Sequence, residues 1–167
     1  MKDTVDPIIF RYASEADLSV LIALLHDDEL GSARETKDSA SFNAYVAAFW
    51  KIQASPDNNI LLAETSSDIV GMLQLTLIPS LTHRGSLRAQ IEGVRVKRAF
   101  RGQGIGRSLL GHAIELATRS GCYIVQLTTD RRRPDAVRFY KSLGFSDSHY
   151  GMKLILNLPE PGGVGQP

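Results

Sequence analysis

Cysteine is nearly absent from these 167 residues: Cys122 stands alone, which excludes an internal disulfide framework and a cysteine-built zinc site. No apolar run approaches the roughly 20 residues that span a bilayer. Residues 1–12, MKDTVDPIIFRY, lack the apolar stretch of a secretory signal. The cytoplasm is therefore the expected location, with no membrane partner. Neither sign of charge dominates, since 19 Lys+Arg and 18 Asp+Glu leave a formal net charge of +1. Such a chain has no global field to hold nucleic acid, so any basic function must be local. His26, His83, His112 and His149 lack metal-ligand spacing, and no metal is expected. What is present is ordinary globular composition, 43% hydrophobic and 22% charged, at a length that suits one domain with a sizeable core.

Along the chain, residues 8–11 read as a short strand. Ser14 resembles an N-cap, with Asp17 as its capping-box partner, and opens a helix over about 15–27. Phe42, Tyr45, Val46, Phe49 and Trp50 recur at three and four, predicting a second amphipathic helix. Residues 60–64 and 69–77 read as a hairpin around Ser66, Ser67 and Asp68, followed by a loop over 78–85. In the strand 87–96, Leu87, Ala89 and Ile91 share one parity while Val94 and Val96 share the other. One extra residue near Gly93, a β-bulge, would return all five to one face and leave Arg88, Gln90, Glu92 and Arg95 on the other. Ile105, Leu109, Leu110, Ala113, Leu116 and Ala117 form the stripe of a strong helix that Gly121 ends. The apolar run 122–127 predicts a strand buried on both faces. Pro134 sits where a helix start tolerates proline, Gly144 stops that helix, and 150–158 offers a last strand. The expected organisation is a mixed α/β sheet in one domain over 6–158, with a disordered Pro/Gly-rich tail at 159–167.

The most informative stretch is the glycine turn Arg101, Gly102, Gln103, Gly104, Ile105, Gly106, which follows the bulged strand and opens a helix. Glycine lets the backbone approach a ligand, and the first helical N–H groups lack internal partners, so the turn suits a pyrophosphate. Arg98, Arg101 and Arg107 concentrate positive charge there. A P-loop needs GxxxxGK(S/T), which is absent. A dinucleotide fingerprint needs GxGxxG, but Arg107 or Leu109 occupies the third glycine position. That break disfavours a nucleotide-dependent oxidoreductase. By itself, Gly-x-Gly-x-Gly is equally compatible with a tight turn that binds nothing.

Residues 101–106 match (Gln/Arg)-x-x-Gly-x-(Gly/Ala), and 136–145 (AVRFYKSLGF) is similar to AxxFYxxxGF about thirty residues later. Together they resemble the two motifs of the GNAT family of N-acetyltransferases. The resemblance implies a mostly antiparallel mixed sheet flanked by helices, with a splayed central parallel strand pair at 87–96 and 122–128. It implies acetyl-CoA as co-substrate, its pantetheine arm pairing with the backbone of Val94, Arg95 and Val96. Its pyrophosphate would rest on Arg101, Gly102, Gln103, Gly104, Ile105, Gly106 and Arg107. The acceptor would be a small-molecule or peptide amine, and a homodimer is compatible with the family. Glu92, beside the bulge, would take the proton of the attacking amine; the alternative is a strand carboxylate paired with Arg88 or Arg95. Tyr140, the motif tyrosine, would protonate the departing thiolate; the alternative is a core aromatic, the role expected of Phe139. A non-catalytic acyl-CoA sensor of the same fold is the competing function.

Secondary candidates are weaker. Arg131, Arg132 and Arg133 read as a solvated charge run, or as contacts to the cofactor phosphates or to an acidic partner. Asp130 stands where many relatives have Asn. Asp27, Asp28, Glu29 and Glu35 read as a solvated acidic loop bordering the acceptor site in the family, the alternative being attraction of a cationic amine.

Overall fold

A computed structural model describes residues 7–27 and 39–156. Asp28, Glu29, Glu35 and the tail at 159–167 lie outside them. The chain divides into two compact units, 1–128 and 129–167.

The first unit is built on a sheet of five strands in the order β1-β2-β3-β4-β5. They are β1 (Ile9–Tyr12), β2 (Asn58–Glu64), β3 (Ile69–Pro79), β4 (Leu87–Val96) and β5 (Cys122–Leu127). The first four pair antiparallel and β4 pairs parallel with β5. Helices α1 (Leu18–His26) and α2 (Ser39–Gln53) meet one face, where Leu18, Leu21, Ile22, Leu24 and Phe49 bury against Ile60, Leu62, Ile69 and Met72. Helix α3 (Ile105–Arg119) packs against β2, β3, β4 and β5 through buried Ile105, Leu109, Leu110, Ala113 and Ala117. Strand alternation explains the two layers: odd positions such as Leu61, Leu73 and Ile91 are buried in one core, while Ile60, Leu62 and Met72 feed the other.

Local signals were placed well. Asp17 accepts from the Ser14 N–H at 2.7 Å and its hydroxyl at 3.0 Å, and a 3-10 turn over Glu15–Asp17 leads into α1. Arg11 donates to Asp17 at 2.7 and 2.8 Å and to Glu64 at 2.6 Å, tying β1 to that turn and to β2. The 65–68 turn closes through Thr65 N–H to the Asp68 carbonyl at 2.8 Å.

The stripe of α2 holds in part: Phe49 is buried and Tyr45 and Val46 pack against the core with Ile52, whereas Phe42 and Trp50 are exposed. Two other expectations for this unit fail. Strand β5 is not buried on both faces: Tyr123 and Ile124, which alternate between them, are exposed, and β5 is the edge of the sheet among the described residues. Strand β3 also continues through Ile78 and Pro79, where a loop was expected.

The second unit holds α4 (Pro134–Ser142), with Pro134 in its first turn and Gly144 at φ 94° beyond its end. No residue of α4 is buried, so Phe139 is not a core residue. The strand expected over 150–158 does not form across 151–156, which are exposed and irregular; 157 and 158 lie outside the described residues. A β-strand needs a partner for its backbone groups, and alternation along the chain cannot supply one.

Candidate active site

The bulge read from parity is present. Pairing of β4 with β3 runs Arg88 with Ile78 through Glu92 with Gln74, then shifts so that Arg95 faces Met72 and Val96 faces Gly71. Gly93, at φ 60°, marks the extra residue. The shift keeps Glu92 and Arg95 on the face that Gln74 and Met72 share. Pairing with β5 ends at Ile91 opposite Leu127, so β4 continues for five residues without that neighbour.

Beyond β4, a 3-10 turn over Arg98–Phe100 leads to the glycine turn. Gly102 and Gly104 have φ of 78° and 83°, in the left-handed region that favours glycine, and Gly104 caps α3. A Cβ built on either would meet nothing within 4 Å, so the backbone angle, not crowding, calls for glycine. Ile105 is buried, which leaves only its backbone for a ligand, whereas Arg101, Gln103 and Arg107 are exposed. Left-handed glycines at an exposed helix start, ringed by arginines, fit a diphosphate.

Residues 22–145 match the Acetyltransferase (GNAT) family. The chain belongs to that family. It is 29% identical over 140 residues to the aminoalkylphosphonate N-acetyltransferase of Salmonella typhimurium, covering 84% of this chain and 86% of that protein. It is 29% identical over 156 residues to the glucosamine 6-phosphate N-acetyltransferase of Trypanosoma brucei brucei, covering 93% and 100%. Among solved structures, a transcriptional regulator from Bacillus halodurans C-125 superposes with a TM-score of 0.86 at 47% identity, covering 90% of this chain and all of that one.

Within this GNAT chain, the carbonyls of Val94 and Val96 accept from arginine side chains, Arg95 at 2.8 Å and Arg101 at 3.0 Å. Glu92 is exposed at the bulge. Arg88 does not engage it through Nε, which is buried with no hydrogen-bond partner among the described residues. Tyr140 lies in the second unit, on α4, half-buried, with its ring 5.3 Å from Phe139 and 6.0 Å from Phe145. In the same unit Arg132 donates to Asp130 at 2.7 Å, an exposed pair that holds the carboxyl well below the usual carboxylate range. Arg131 sits over the Tyr150 ring. Burial pushes the Cys122 thiol up, consistent with a packing residue.

Two features escaped the sequence reading. Asp27 is not a solvated acid: its carboxylate accepts from the Arg98 N–H at 2.6 Å and lies 3.5 Å from the Arg98 Nε. Arg101 donates to the Asp27 carbonyl, so the end of α1 is fastened to the glycine turn. Asn58, Thr76, Gln90 and Gln126 form a polar row across four strands. Asn58 accepts from Thr76 at 3.1 Å and from Gln74 at 3.0 Å, and Gln126 donates to Gln90 at 2.7 Å. The only hint in the sequence was Gln74, Thr76 and Gln126 interrupting apolar runs.

Proposed function

We propose that this chain transfers the acetyl group of acetyl-CoA to a primary amine of a small molecule or peptide by direct attack in a ternary complex. The observation that carries this reading is the continuous path from the bulged end of β4, which runs past its pairing with β5 and where Glu92 is exposed, into the glycine turn at the start of α3. Relatives named for amine acceptors support the same chemistry.

In this proposal the N–H groups of 101–107 hold the pyrophosphate, and the backbone of Val94, Arg95 and Val96 aligns the pantetheine arm. The carbonyls of Val94 and Val96 would then exchange their arginine donors for the arm's amides. An alkylamine is mostly protonated near neutral pH and must lose a proton before it attacks. Glu92 takes that proton, directly or through water. The amine nitrogen bonds to the thioester carbonyl carbon, a backbone N–H near Val94 steadies the oxyanion, and the C–S bond then breaks. Tyr140 gives its proton to the departing thiolate.

Acetyl-CoA should raise the melting temperature while NADH and ATP do not, because only a ligand of the folded state stabilises it. Thiol release should then follow with at least one amine of a panel. Equal shifts with ATP, or none with acetyl-CoA, would refute the assignment. The Bacillus relative described as a transcriptional regulator favours one second reading, a non-catalytic acyl-CoA sensor. A shift with acetyl-CoA but no thiol release with any amine is the outcome that supports it.

A further inference from the structure

The face of β4 that carries Glu92 also carries a cation, Arg88, for which no ion pair is found among the described residues. Arg88 is half-buried, and its Nε is fully enclosed without a hydrogen-bond partner among the described residues. Its cross-strand neighbours are Ile78 on β3 and Ile124 on β5, both apolar. The nearest acid on its own strand face is Glu92, four residues along a regular ladder, or about 13 Å at the usual rise per residue. Guanidinium stays charged throughout the working pH range, and a buried N–H without an acceptor is costly. A planar guanidinium fork flanked by two apolar neighbours binds a compact oxyanion in preference to a neutral group.

Position adds direction. Between Arg88 and Glu92 runs the row Asn58, Thr76, Gln90 and Gln126, half-buried amides and a hydroxyl hydrogen-bonded in two pairs, Thr76 to Asn58 and Gln126 to Gln90. From Glu92 the chain passes to the glycine turn, so the carboxylate marks the end of β4 nearer the acetyl donor and Arg88 the end farther from it. The surface thus has a proton acceptor at one end, neutral polar groups in the middle and a cation at the other. A molecule complementary to it carries an amine at one end and an anion at the other. The spacing also keeps that anion away from the phosphates held at the start of α3.

We propose that the acceptor is an anionic amine, and that Arg88 is the specificity-determining residue that binds its phosphate, phosphonate or carboxylate group. This inference rests on the transferase reading for what happens to the amine, but not for binding itself.

The test is calorimetric titration of the CoA-loaded protein with three amines of similar size: 2-aminoethylphosphonate, β-alanine and ethanolamine. Wild type should bind at least one of the two anionic amines roughly 10- to 100-fold more tightly than ethanolamine, the range for a charge-assisted contact. Whichever is preferred separates a phosphorus oxyanion from a carboxylate. Arg88→Met and Arg88→Gln should abolish the preference and leave ethanolamine binding and CoA binding unchanged. With an active acceptor they should raise KM and spare kcat. Raising the ionic strength toward about 1 M should weaken the anionic amines selectively. Melting curves identify any variant that fails to fold, and the wild-type comparison is decisive without either. Equal affinity of wild type for all three amines overturns the proposal, as does a preference that survives in folded Arg88 variants. An Arg88-dependent preference without thiol release would instead refute the transferase reading. Thiol release from ethanolamine without any preference would do the reverse.

Discussion

Replacing Gly104 by valine separates what the glycine turn does for folding from what it does for the cofactor. Gly104 holds φ 83° and ψ −6° at the cap of α3. A Cβ there would meet nothing within 4 Å beyond its chain neighbours, so the main cost is that of an L-residue in the left-handed region. That cost is about 1–2 kcal/mol, with a β-branched residue at the upper end. For a protein of this size it lowers Tm by roughly 2–8 °C. The backbone can relieve the strain by rotating toward negative φ, but doing so re-aims the N–H groups at the start of the helix. Each hydrogen bond to a charged group contributes about 1.5–3 kcal/mol, so losing even one weakens CoA by roughly 10- to 100-fold. Scanning calorimetry and titration with CoA on one sample measure both. A lower Tm with an unchanged dissociation constant would refute the reasoning and make the turn purely structural.

Three further variants test the proposed catalytic pair and the Arg11–Asp17 tie. Tyr140→Phe should lower kcat and kcat/KM together by roughly 10²- to 10⁴-fold, whereas the loss in Glu92→Gln should partly recover at high pH, where more amine is already neutral. A pH–rate profile of both variants checks this, and wild-type kcat in Tyr140→Phe with chemistry rate-limiting would make Tyr140 a packing residue. Asp17→Asn should cost about 3 kcal/mol in urea unfolding, the low end for breaking a buried pair, because Arg11 remains about a third exposed. The hydrogen bonds from Arg11, then those from Ser14, hold the Asp17 carboxyl well below the usual range. A carboxyl lowered on folding contributes fully above its unfolded value near ~3.9 and loses that contribution as pH falls toward the folded one. The gap between wild type and Asp17→Asn should therefore stay constant above about pH 5 and shrink in acid; a gap that widens in acid would contradict the assignment.

Whatever depends on a few consecutive residues was readable in advance. Ser14 with Asp17, the parity break at Gly93, the glycines before α3, and the Pro134 and Gly144 that bound α4 act through local dihedral angles and short-range hydrogen bonds, which the sequence by itself determines. Tertiary structure alone decided what joins distant segments. Asp27 meets Arg98 across 71 residues, and Arg11 meets Glu64 across 53, so no local pattern announces either. The polar row owes its existence to register, since Asn58, Thr76, Gln90 and Gln126 become neighbours only when four strands pair. The same reason governs the misses. Alternating apolar residues state which side of a strand is apolar, but not whether another strand lies alongside. Thus β5 turned out to be an edge and 151–156 formed no strand, although both segments carry the composition of buried sheet.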